Sequence, residues 1–218
     1  MRIVNVINMI AAAALITGCA TLQQEAPREE IQRIAPEPEK VVSAPKEFSF
    51  TDTPTLAMVP EGPVRGEVNG ETFTVKTIIL QPGYGGKWDI YLMEEKMEDP
   101  TDVMMEGQYF DLQLNKGPGA GVTMDHPMEF GDGFCQTRKI KNPDETTSWN
   151  SDNAWVLEIT EWDVKDWDPD GDIFQVAGTA SGKVAVCYKG SCGFADSWAA
   201  GTFTGAVIRY MGKPDWVK

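Results

Sequence analysis

From residue 64 onward, apolar and polar positions alternate with a period of two, the signature of strands with one buried face. Residues 64–68 and 72–80 flank Asn69-Gly70, a dipeptide that accepts the positive φ angles of a type I′ hairpin turn. Over 88–93, Trp88, Ile90 and Leu92 alternate with Asp89, Tyr91 and Met93. Residues 109–114 form a short aromatic strand. Over 154–162, Trp155, Leu157 and Ile159 alternate with Glu158, Thr160 and Trp162. Residues 174–180 and 183–188 read as two strands joined by a hairpin at Ser181-Gly182. Over 202–211, Phe203, Gly205 and Val207 fall on one side, and Thr204, Ala206, Ile208 and Tyr210 on the other.

Helical periodicity is scarce; residues 94–98 support a single turn. About eight strands, with 21 glycines and regularly spaced turns, predict an all-β domain. Its expected architecture is an antiparallel β-sandwich or a partly closed barrel, spanning residues 48–218 and without internal repeats. Residues 48–63 are apolar but broken by Pro54 and Pro60, and read as a lead-in laid along the domain.

The beginning of the chain follows a different pattern. Residues 1–18 read as a secretory leader: Arg2 supplies the positive region, and residues 9–16 an apolar stretch too short to span a bilayer. The stretch ends in Ile16-Thr17-Gly18-Cys19, which resembles the lipobox of bacterial lipoproteins. The resemblance implies cleavage before Cys19 and diacylglycerol on its sulfur, with membrane lipid as partner. Two or more acyl chains anchor a protein stably where one does not. With Ala20 rather than Asp after Cys19, the resemblance implies an outer-membrane location, with the leaflet left open. Residues 19–47 carry Pro27, Pro36, Pro38 and Pro45 among charged and polar residues. Such a segment buries too little surface to offset its ordering entropy and reads as a flexible spacer, with a reach of roughly 30 Å.

The C-terminal part has Gly178-Thr179-Ala180-Ser181-Gly182 and then Gly201-Thr202-Phe203-Thr204-Gly205. This pair of segments resembles uncharacterised β-sandwich lipoproteins, a likeness that brings no activity with it.

Net charge narrows the partners. The 218 residues include 33 acidic and 19 basic side chains, a net charge of −14. Nucleic-acid binding draws its affinity from Lys and Arg on phosphates, so no nucleic-acid partner is expected. Besides Cys19 there are Cys135, Cys187 and Cys192. In an exported chain Lys189-Gly190 would let Cys187 and Cys192 close a disulfide; pairing of Cys135 is the alternative. An unpaired Cys135 is either a reactive thiol or a small buried residue beside Phe134.

Asp166, Asp168, Asp170 and Asp172 alternate, with Gly171 after the third, like the first half of a calcium loop. The twelfth position is Ala177 rather than Glu, and Pro169 interrupts the loop, so plain turn chemistry is the competing reading. Calcium is the only cofactor the sequence suggests. Trp162 and Trp167 bracket this loop. They are either a sugar-binding platform or rim packing at a sandwich end.

No catalytic motif is recognisable. His126, in Met124-Asp125-His126-Pro127, reads as an exposed turn. The acid pairs Glu158/Glu161 and Glu129/Asp132 would serve glycoside hydrolysis only across a cleft. The leading expectation is a lipid-anchored, non-enzymatic envelope structural or interaction module. A carbohydrate-binding module, calcium-dependent if the Asp loop binds metal, is the rival, and a carboxylate-based glycoside hydrolase is the third reading.

Overall fold

The alternating segments fold as strands. The computed structural model describes residues 47–213 apart from 103–104, 140–141 and 166, so the leader, Cys19 and the spacer up to residue 46 lie outside the described residues. In chain order the strands are β1 (Arg65–Val68), β2 (Glu71–Thr74), β3 (Thr77–Pro82), β4 (Trp88–Met93), β5 (Tyr109–Leu114), β6 (Val122–Phe130), β7 (Phe134–Lys139), β8 (Asn142–Trp149), β9 (Asp152–Val164), β10 (Phe174–Tyr188) and β11 (Ser197–Met211). They join in one sheet with the order β6-β9-β10-β11-β3-β4-β5-β7-β8, and the β1–β2 hairpin attaches to β11.

The fold is all-β and sandwich-like, as the alternation predicts. Neighbours pair antiparallel except β11 and β3, which run parallel through Val207↔Ile79 and Ile208↔Leu80. The sheet is therefore mixed, and richer than the eight strands expected. Met124 of β6 and Trp149 of β8 come from opposite ends of the strand order. Both join the central core with Phe73, Ile90, Phe110, Leu157 and Ile208. The sheet thus folds over on itself, and each large buried side chain contributes about 1.5–3 kcal/mol.

Two smaller clusters cover the outer faces. The lead-in places Phe48 and Val59 on Val156, Ala185, Cys187 and Ala200. Met97 and Met105, from the β4–β5 connection, lie over Ile79, Tyr91, Met93 and Tyr109.

Several elements depart from the pattern-based reading, each for a local reason. Asn69 (φ 53°) and Gly70 (φ 79°) do form the expected turn. The stretch 72–80, read as one strand, is two, because the chain changes partner midway: β2 pairs with β1 and β3 with β4. The hairpin expected at Ser181-Gly182 is absent. β10 runs unbroken through it, with a register shift at Ala180/Gly182 against β11 and at Ser181/Gly182 against β9. Gly182 serves close approach here, since a β-carbon would lie 2.0 Å from the Glu158 carbonyl oxygen. In β11 the expected faces switch partway. Phe203 joins Ala206, Ile208 and Tyr210 in the core, because Gly205 at φ 68° inserts a left-handed residue between them. Strands β6, β7 and β8 escaped the reading because their alternation is weak and polar.

The parallel junction is reinforced by a buried cation. Arg209 Nε donates to Gln81 Oε1 at 2.9 Å, and Nη1 donates to the carbonyls of Pro100 (3.0 Å) and Asp102. Arg209→Met keeps much of the stem but leaves these acceptors without a donor. The expected loss is about 2–3 kcal/mol, read as a lower urea midpoint; an unchanged midpoint would contradict this role.

Candidate functional site

Two polar assemblies stand out against the apolar body: a pocket beside β6, and a pair of carboxyls, Asp111 buried and Asp89 half-buried, on the face under the β4–β5 connection. The pocket arises where β6 is interrupted. Pro127 has no N–H to give the ladder, and pairing with β9 jumps from His126↔Trp155 to Glu129↔Asn153. The bulge turns His126, Glu129 and Phe130 toward a cavity of about 220 Å³ shared with Asn153, Gln113 and Asp132.

The geometry of the pocket is specific. The His126 ring stacks on Trp155 with centroids 5.9 Å apart and planes 20° apart. Its Nε2 is shielded from solvent and has no hydrogen-bond partner among the described residues. A β-carbon on Gly131 would lie 2.7 Å from Asn153 Nδ2 and 3.1 Å from His126 Nε2, so the missing side chain keeps this corner open. Asn153 is itself buried and is oriented by donating to the Ser151 carbonyl at 3.0 Å. At the rim, Lys87 Nζ donates to Asp132 Oδ2 (2.6 Å) and Gln113 Oε1 (2.7 Å). The Lys87 hydrogen bond and charge hold the Asp132 carboxyl below its usual range. Phe130 stands 67% exposed beside these groups. The pocket offers donors and acceptors from amides, carboxylates and an imidazole, next to an open aromatic face.

Gln113 links the pocket to the second assembly, donating to Asp89 Oδ1 at 3.5 Å. Asp89, Tyr91 and Asp111 share one face of β4 and β5, with Tyr91 directly opposite Asp111. Burial, and then the nearby Asp89 charge, push the Asp111 carboxyl up to about 8. Burial likewise raises Asp89, pushes Tyr109 to about 12 and raises Tyr91. Asp111 Oδ1 is buried without a partner among the described residues, which an uncharged carboxyl tolerates far better than a carboxylate.

The residues singled out from sequence fall in different places. Trp162 was read as facing away from Trp155, Leu157 and Ile159. The β9 register shift brings it back to the core, where it meets Trp88 edge-on at 5.6 Å. Trp167 leans on Tyr210 at 6.3 Å, and both tryptophans are half-buried at the margin of the central core. Asp168, Asp170 and Asp172 are exposed. Their loop is tied by Gln175, which donates to the carbonyls of Asp168 (2.8 Å) and Asp172 (2.7 Å). Asp166 lies outside the described residues, and among the described residues no three His, Cys, Asp or Glu side chains gather as metal ligands.

The expected Cys187–Cys192 disulfide is corrected by the structure, since all three described cysteines are free thiols. Cys187 points beneath the lead-in, where its sulfur accepts the Thr51 N–H at 3.5 Å. Cys192 sits exposed in a left-handed turn (φ 55°) beyond the strand end, in a loop pinned by Phe194 stacked on Trp149 at 4.4 Å. Cys135 is buried in the central core, where desolvation raises its thiol well above the usual value.

Of the two acid pairs, Glu129 and Asp132 both line the pocket, whereas Glu161 is exposed on β9 and accepts the Ser181 hydroxyl. His126, read as a surface turn, is the residue that sequence reasoning missed. Its signal was Pro127, which marks a strand bulge as readily as a turn. No protein family, no curated protein and no solved structure matches the chain.

The raised Asp111 carboxyl gives a signed prediction. Its contribution to stability is complete below pH ~4, the unfolded value, and is lost progressively as pH rises to about 8. Asp111→Asn keeps the shape without the charge. It should match the native chain near pH 4 and exceed it by a few kcal/mol at pH 8.5; parallel curves of melting temperature against pH would refute this.

Proposed function

We propose that the protein is a lipid-anchored lipoprotein of the outer membrane whose β domain is a non-enzymatic envelope binding module, and that its ligand is a glycan unit held in the His126–Asn153 pocket. The observation that carries this reading is a small, polar, pre-formed cavity containing a buried nitrogen that lacks a partner. Leaving such an atom unsatisfied costs about 1–3 kcal/mol, and a ligand hydroxyl would recover that cost.

The chemistry suits a sugar ring. Hydroxyls donate and accept at once, and the lining answers with acceptors on Glu129 and Asp132 and with mixed donors and acceptors on Asn153, Gln113 and Asn115. The exposed ring of Phe130 offers an apolar face for sugar C–H groups. A cavity of 220 Å³ is below the usual range for drug-sized ligands and fits one ring with its neighbours outside. The His126–Trp155 stack lies directly under the site, so occupancy would be reported by tryptophan emission.

Two measurements test the proposal. Titration with a panel of monosaccharides and envelope polysaccharides should give a saturable change in emission and a matching heat. Gly131→Ala, which sets a methyl group against Asn153 and His126, should weaken binding at least tenfold while the chain stays folded with a modestly lowered melting temperature. Trp167→Ala should leave binding intact. A flat response across the panel removes the ligand class. For the anchor, the native chain should partition into detergent and Cys19→Ser into the aqueous phase; equal partitioning would remove it.

A further inference from the structure

β11 changes partner along its length. Its first part pairs antiparallel with β1 through Ala200, Ala199 and Trp198, and Thr202 bridges to Pro63. Its later part pairs parallel with β3 through Val207 and Ile208. Between Thr202 and Val207 that edge meets neither strand. β10 occupies only the opposite edge, pairing with Phe203 and Ala206. The sheet is forked there, and among the described residues no strand fills the fork.

A groove of about 500 Å³ fills the fork. Val75 and Ile78 form one wall and Met97 another, while Thr204 and Gly205 are exposed along the floor. Among the described residues the groove lining contains Lys76 and Lys96 and no Asp or Glu, in a chain with 33 acidic residues, and Lys96 and Met97 also border an adjoining pocket lined by Glu95, Glu98, Asp99, Asp102 and Glu106. Both lysines are exposed. Lys96 also meets Glu98 at 2.9 Å, an exposed pair that a buried competitor displaces at little cost.

We infer that this fork receives an extended, acidic peptide segment of a partner protein, which completes the sheet along β11 between Thr202 and Val207. The free stretch spans four residues, Phe203 to Ala206, with the left-handed Gly205 within it. Backbone groups supply the pairing, as in other strand additions to open sheet edges. Alternate side chains of the incoming segment would face Val75, Ile78 and Met97, and its carboxylates would meet Lys76 and Lys96. In a chain of net charge −14, the two lysines make this groove a favourable place for an acidic segment. The site is separate from the glycan pocket and stands or falls without it.

The test is selection of a random heptapeptide library displayed on phage against the detergent-solubilised full chain. The expected result is enrichment of peptides carrying two or more carboxylates among β-branched residues. Synthetic copies should bind with an affinity that falls as salt is raised. Lys76→Glu with Lys96→Glu should weaken them at least tenfold, and methylation of alternate peptide amide nitrogens should abolish binding. Lys76→Gln with Lys96→Gln gives the same comparison if the charge reversal disturbs folding. No enrichment, or enriched peptides indifferent to both the lysine changes and amide methylation, would overturn the inference.

Discussion

Everything in this fold hangs on the junction where β11 lies beside β3. On one side of it are β6, β9, β10 and β11; on the other, β3, β4, β5, β7 and β8. The halves share two parallel residue pairs, Val207↔Ile79 and Ile208↔Leu80. So short a ladder would be a weak seam if backbone pairing were its only support. Ile208 and Leu80 sit in the central core, Ile79 and Val207 lie under the β4–β5 connection, and Arg209 ties Gln81 to that connection next in line. Hydrophobic burial on both faces, with one buried guanidinium, replaces the hydrogen bonds that a longer seam would supply.

The two candidate recognition sites follow from how the sheet manages such interruptions. At the fork, β11 must release β1 before it can meet β3, and Gly205 supplies the left-handed residue that re-aims the strand. The result is a length of unpaired backbone between apolar walls. At the other site, Pro127 cannot contribute to the ladder, so β6 bulges and its polar side chains converge on Asn153 rather than alternating in and out. In both cases a local failure of regular pairing produces a concavity. Bulges of this kind are frequent where sheets carry function.

The buried carboxyls show a different compromise. Asp89 and Asp111 lie on a face that the β4–β5 connection covers in part, so each is raised by desolvation, and the Asp89 charge raises Asp111 further. Holding Asp111 neutral removes the worst of the repulsion. Through Gln113 and Lys87 this region touches the pocket rim, so the charge state of the carboxyl pair and the orientation of Asp132 belong to one hydrogen-bonded chain.

The sequence by itself determined which segments become strands wherever alternation was strong. Trp88–Met93 and Tyr109–Leu114 were legible as strands, and Trp88, Ile90 and Leu92 as one side of the first; that the opposite faces are largely buried as well was not legible, because it depends on what the β4–β5 connection covers. It determined the Asn69-Gly70 turn through the positive φ angles those two residues tolerate. It also framed the expectations of Cys19 lipidation and of a spacer, through short motifs and composition that depend on no tertiary contact. The tertiary structure decided what depends on register. A shift at Gly182 made one strand of two and returned Trp162 to the core; the left-handed Gly205 moved Phe203 across the sheet; the bulge at Pro127 turned His126 from an apparent surface turn into a pocket wall. Each inserts or removes a single residue, and a single residue inverts every face beyond it. The thiols of Cys187 and Cys192 stayed apart for a related reason. Closeness in sequence brings two sulfurs together only if their side chains point the same way, and here one lies beneath the lead-in and the other faces solvent.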